Sequence, residues 1–179
     1  MSFLAKDANG TNQNLPLYDP QYQASATIVP GAAPTTIVQL TGAASTKMRI
    51  KYVELAFVGA ISATVKAMSL NLRSTAASGG TPVTPTLGKS DQSDAAAAGV
   101  VTHYTAAPTA GSLTAVVRSA YIGSGTAQTP DRLRWEFTTH GDKALTLSSA
   151  SQFLTIDMGA ALEASQNLSY TIVWEEGSA

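Results

Sequence analysis

The sequence predicts an all-β protein: an antiparallel β-sandwich of jelly-roll type with an extended N-terminal arm. Three observations predict it. Short apolar and β-branched runs alternate with Gly, Pro, Ser and Asn clusters along most of the 179 residues. Several of those runs alternate apolar and polar residues with period two, the mark of a half-buried strand. Almost no segment reads as helix, and no repeat recurs at a fixed period.

Taken in order, residues 1–24 are polar, rich in Asn and Gln, and broken by Asn9-Gly10, Pro16 and Pro20, which disfavours helix and favours a tight turn. They are read as an extended arm. A frayed tail is the plain alternative, but Leu15, Leu17, Tyr18 and Tyr22 are apolar groups suited to docking on a partner. The remainder, 25–179, is read as one sandwich domain. Ala26 to Val29 and Thr35 to Leu40 are its first two strands, split by Pro30-Gly31 and Pro34. In Met48 to Val58, Met48 and Ile50 share one parity while Val53, Leu55 and Phe57 share the other, which predicts a bulge near Lys51-Tyr52. Val65 to Leu72 returns with Met68, Leu70 and Leu72 on one face.

From Arg73 to Ala98 the pattern dissolves into Ser, Thr, Gly, Pro and Ala, a long connection in which a short helix over Asp91 to Ala98, capped by Asp91, Ser93 or Asp94, and an irregular segment are equal readings. Strands resume at Val100 to Thr105 and Leu113 to Ile122. Leu133, Trp135 and Phe137 then alternate with Arg132, Arg134 and Glu136. The turn His140-Gly141-Asp142 follows, and then Leu145 to Leu147 and Phe153 to Met158. Leu168, Tyr170, Ile172 and Trp174 close the chain on one parity. Leu133, Trp135, Phe137, Tyr170, Ile172 and Trp174 are expected in the core. Nine or ten strands suit two packed sheets of jelly-roll kind. An immunoglobulin-like sandwich is the runner-up, but it needs only about 100 residues.

Composition narrows the function. Lys and Arg total 11 against 12 Asp and Glu, a formal charge of -1, so no positive field favours a nucleic-acid backbone. Only 13% of residues are charged, about half the usual share, which suits a surface that stands against neighbours. Cysteine is absent, which removes disulfides and thiolate chemistry and fits assembly in a reducing cytoplasm. No apolar run approaches the roughly 20 residues of a membrane span, and no secretion signal is read at Met1 to Lys6.

Catalytic and metal-binding patterns are not found in the sequence. His103 and His140 have no second His at ligand spacing. Asp91 and Asp94 lack the Glu and Gly of a calcium loop and read as capping residues. Glu175 and Glu176, adjacent on a strand, point to opposite faces and read as a solvated strand end. Gly123-Ser124-Gly125-Thr126 has no following lysine and reads as a flexible loop. Arg49, Lys51, Arg132 and Arg134 form either a small basic stripe or cross-strand pairs with Glu54 and Glu136, and the pairing is preferred. No enzyme activity, cofactor or metal is expected.

The opening Leu4-Ala5-Lys6-Asp7-Ala8-Asn9-Gly10-Thr11, the Ala/Thr/Gly-rich strands and the closing Leu168-Ser169-Tyr170-Thr171-Ile172-Val173-Trp174-Glu175-Glu176 resemble virion structural proteins of tailed bacteriophages. In that group jelly-roll proteins decorate or cement the capsid, often as trimers. The resemblance implies a capsid decoration protein made in the host cytoplasm and placed on the virion surface. Its partners would be the major capsid protein and copies of itself as a homotrimer, with no nucleic acid or membrane involved. A tail, neck or baseplate component and a fibre-head or lectin-like receptor-binding module are the alternatives.

Overall fold

The computed structural model describes residues 4–6, 12–14, 19–29, 35–59, 65–123, 132–137, 144–162 and 166–178. Two short strands, β1 (Leu4–Lys6) and β2 (Asn12–Asn14), pair antiparallel with each other, Leu4 opposite Asn14. The remaining strands are β3 (Gln21–Ile28), β4 (Thr35–Thr41), β5 (Thr46–Gly59), β6 (Val65–Arg73), β7 (Pro82–Val83), β8 (Leu87–Lys89), β9 (Val100–Tyr104), β10 (Leu113–Gly123), β11 (Arg132–Glu136), β12 (Leu145–Leu147), β13 (Phe153–Met158) and β14 (Gln166–Ser178).

They form two antiparallel sheets packed face to face, a β-sandwich. The first runs β11-β5-β14-β3-β8, with β12 lying beyond β11 along the same side of β5; the second runs β10-β6-β13-β4-β9-β7. The long strands pair in a nested way: β3 with β14, β4 with β13, β5 with β11 and β12, and β6 with β10. The nested pairs are split between the sheets, β3, β5, β11, β12 and β14 in the first and β4, β6, β10 and β13 in the second.

The interior is built from the period-two faces. Leu168, Tyr170, Ile172 and Trp174 of β14 meet Met48, Ile50, Val53, Leu55 and Phe57 of β5 and Met68, Leu70, Leu154, Ile156 and Val101 of the opposite sheet. Each fully buried large aliphatic side chain contributes about 1.5–3 kcal/mol. Trp135 and Phe137 are buried as expected, and Leu133 is partly buried against them. The parity switch in β5 is a register shift. Tyr52 pairs with Val173 and Ile50 with Trp174, so Lys51 is the extra residue, and its carbonyl accepts from the Phe137 N–H at 2.9 Å.

Three expectations are corrected. The arm does not extend to residue 24: β3 begins at Gln21, and Tyr22 and Ala24 are core residues paired opposite Trp174 and Ile172. The start of the arm is a pair of short strands rather than continuous extended chain. The short helix over Asp91 to Ala98 is absent; Asp91 closes a turn by accepting from the Ser93 N–H at 2.8 Å, and residues 95–97 have no regular structure. The Asp91 carboxyl is lowered from its usual value by the Ser93 hydroxyl and N–H bonds.

The connection after β6 is an ordered overlay. Segments 74–82 and 104–112 run antiparallel through Ser74–Ser112, Ser78–Thr109, Thr81–Thr105 and Pro82–Tyr104. Gly80 takes φ +70, and a Cβ there would stand 2.6 Å from the Ala106 carbonyl, so only glycine fits this tight crossing. The overlay lies on the outer face of the second sheet, where Gln39, Thr155, Asn71 and Arg73 are all buried.

Candidate functional site

Buried polar chemistry is concentrated at three places. The first is beneath the overlay. Arg73 pairs with Asp157, donates from Nε to Thr155 at 3.0 Å, and reaches the Gly111 carbonyl of the overlay. Asp157 also accepts from Asn71 at 2.8 Å and from the Thr36 hydroxyl at 2.9 Å. The Gln39 side chain accepts from the Ala77 N–H at 2.8 Å. A buried charge persists only when paired and hydrogen-bonded, and here the pairing attaches the overlay to the sheet. Asn71 Oδ1 is buried without a protein partner.

The second place is the end of β14. Glu176, read from sequence as solvated, is 7% exposed. Its carboxylate accepts from the Ala98 N–H at 2.8 Å, the Gly99 N–H at 2.9 Å and the Trp174 indole at 2.8 Å. Beside it, the Tyr22 hydroxyl donates to the Ala95 carbonyl at 3.0 Å, and its ring packs 6.0 Å from that of Trp174. Burial raises the Tyr22 phenol above its usual value, with the Glu176 and Asp94 charges adding to it. Together these bonds fasten residues 95–99 over one end of the first sheet.

The third place is between the sheets, where His103 Nδ1 of β9 and the Tyr170 hydroxyl of β14 share a hydrogen bond of 3.0 Å. Burial lowers the His103 imidazole and raises the Tyr170 phenol. The bond clasps one sheet to the other. Among the described residues no three His, Asp or Glu side chains are grouped where a metal ion would be held.

The arginine stripe is neutralised on the surface. Arg132 and Arg134 face Glu54, Arg134 also meets Glu136 at 2.7 Å and stacks on Tyr52, Lys51 meets Glu175 at 3.0 Å, and Arg49 pairs with Asp19. Exposed pairs of this kind contribute about 0.2–1 kcal/mol each.

Of the four residues expected to dock the arm on a partner, Leu15, Leu17 and Tyr18 lie outside the described residues. Tyr22 is 2% exposed and serves the core of its own chain. A surface that the sequence reading missed is β10. It is an outermost strand, and it exposes Leu113, Val116 and Tyr121, the last to 76%. The signal was present, because Leu113 to Gly123 lacks the clean alternation of its neighbours and carries a single charge, Arg118. Beside it a groove of about 420 Å³ separates β10 from β12, lined by Val117, Arg118, Phe137, Ala144, Leu145 and Thr146. The Arg118 guanidinium lies 5.5 Å from the Phe137 ring centre.

Fold and site define a β-sandwich in which buried polar groups tie loops and sheets together while the arginine stripe is paired with acids on the surface. No protein-family model, curated protein or solved structure matches the chain.

Proposed function

We propose that the chain is a non-catalytic structural protein of a virus particle: a jelly-roll capsid decoration protein that binds major capsid protein subunits and copies of itself. The nested pairing of β3 with β14, β4 with β13, β5 with β11 and β12, and β6 with β10 supports the jelly-roll reading. The observation that carries the functional reading is where the polar groups are used. The carboxylates of Asp19, Glu54, Glu136, Asp157, Glu175 and Glu176 each hold a structural partner, while the exposed described residues are mostly small Ser, Thr, Ala and Gly with scattered valines and few charges. A body of this kind stabilises an assembly by burying surface against neighbours, through mass action. The segment before β3 supplies reach toward a capsid subunit.

The test is the position of the chain on purified particles, by immunogold labelling or cryo-EM. Density for the sandwich on the outside of the head is the expected result; absence from purified particles overturns the proposal, and density on the tail, neck or baseplate replaces it with that location. Tyr121 favours one second reading, a glycan- or receptor-binding module, because exposed aromatic rings are common sugar platforms. Both tryptophans are buried, so that reading rests on Tyr121, and binding on a glycan array lost in Tyr121→Ala would establish it.

A further inference from the structure

We propose that the free edge of β10 is a self-association surface, on which a second copy of this chain adds its own β10 in antiparallel fashion about a two-fold axis. The inference stands whether or not the chain belongs to a virus particle.

The argument begins with the edges of the two sheets among the described residues. An open edge presents unpaired N–H and C=O groups and invites another strand, so proteins blunt edges by shortness, charge or proline. Three edges here are blunted. β7 has two residues, one of them Pro82; β8 has three, ending in Lys89; β11 and β12 are short strands laid end to end, the former with Arg132, Arg134 and Glu136. β10 is different: it has 11 residues, no proline and one charge, and the bulges that also blunt an edge are confined to its first half, leaving Arg118 to Gly123 regular.

Its backbone is suitably presented. The Ala67 carbonyl accepts from the Gly159 N–H on the far side of β6, so the Ala67–Tyr121 pair is a non-bonded one, and the Tyr121 N–H and C=O face outward. Register is unbroken from Arg118 to Gly123, which puts Ser119 outward as well; the two irregularities of β10 lie before that run.

The occupant follows from the same comparison. A head-to-tail contact would need a second long edge on the chain, and the described strands provide none. The matching edge for β10 is β10 of another copy, which makes the contact isologous and closed. Charge permits it: with the axis at Ser119 or Ala120, each Arg118 faces the partner's Ala120 or Ile122 rather than the other cation. Length gives the strength. With the axis at Ser119 the strands overlap over residues 115–123, about 31 Å, and a layer is about 10 Å deep, so each copy buries about 310 Å² along the edge. That is well under half of the roughly 800 Å² per partner of a stable interface, so the dimer is concentration-dependent. Copies are thereby joined in twos, not in the threes that the resemblance implied.

The experiment is sedimentation equilibrium of the full chain with edge variants, joined to cysteine cross-linking. Ser119→Pro removes an outward N–H and no internal bond, and Tyr121→Lys places a charge on the edge; each is expected to weaken dimerisation by at least about tenfold while circular dichroism stays unchanged. The chain has no cysteine, so Ser119→Cys alone, or mixed with Tyr121→Cys, is expected to give an oxidised dimer, and Val83→Cys on a blunted edge is not. A chain that stays monomeric at high concentration without cross-links overturns the inference. So does an oligomer indifferent to both edge variants, although that result would leave the wider self-association of the proposed function standing. Loss of capsid binding in Ser119→Pro without any self-association would assign the edge to a capsid segment and overturn the second copy as occupant.

Discussion

Glu176 shows how one side chain changes meaning between sequence and structure. Adjacent acids at a strand end read as solvated, yet Glu176 continues the inward parity of Leu168, Tyr170, Ile172 and Trp174 along β14. There the carboxylate meets three N–H donors, two of them from the backbone at Ala98 and Gly99. Glu176→Gln keeps the shape but sets an amide NH2 against one of those donors. It is expected to lower stability by about 1–3 kcal/mol in urea unfolding, with residues 95–99 gaining protease sensitivity. An unchanged midpoint would mean that the carboxylate contributes nothing. The alternation that carries Trp174 inward reaches Glu176 as well; what the sequence hides is that residues 98 and 99 bring backbone N–H donors to cover it.

At the scale of the element, β3 and β5 give opposite lessons. The bulge in β5 was legible because its apolar residues change parity between Ile50 and Val53, and only an added residue keeps both sets inside. The beginning of β3 was not, since Pro16 and Pro20 with the polar Gln21 and Gln23 outweighed the alternation of Tyr22 and Ala24. The correction matters for any test of the arm. Removal of residues 1–18 leaves β3 whole, keeps Asp19 for Arg49, and is expected to preserve the fold while abolishing capsid binding. Removal of residues 1–24 strips Tyr22 and Ala24 from beside Trp174 and Ile172 and is expected to cost about 3 kcal/mol or more. Circular dichroism and capsid pull-down on the two truncations separate these outcomes, and full capsid binding by the shorter truncation would refute the arm's part.

The sandwich as a whole is tied across its interior by His103 and Tyr170, one from each sheet. Burial holds the imidazole below its usual 6.5. In the unfolded chain the group regains that value and takes up a proton that the folded state resists. The stabilisation is therefore complete above the usual value and is lost as pH falls through the depressed one. The urea midpoint is expected to decline as pH falls from neutral through 6.5 and below, and His103→Gln to flatten that decline. A wild-type midpoint constant over this range would remove the clasp from the account. The two-layer architecture was readable in advance because its core faces are apolar at period two. The overlay was not: Gln39, Asn71 and Thr155 sit on the parity that ordinarily meets water, and a covering segment rich in Ser, Thr and Gly carries no apolar signature of its own.

The overlay leaves β6 and re-enters at β10 through ends that are already joined, the Ser74 N–H to the Ser112 carbonyl at 3.0 Å. The excursion between them carries β8 and β9 into the two sheets, with Val101 and His103 in the interior, so most of it is held in place. Only its outer stretches, 74–81 and 105–111, can drift in composition without moving the strands around them, provided that they still bring a carbonyl to Arg73 and an N–H to Gln39. Lineages carrying this scaffold would be free to exchange that one patch of skin while keeping the skeleton beneath it.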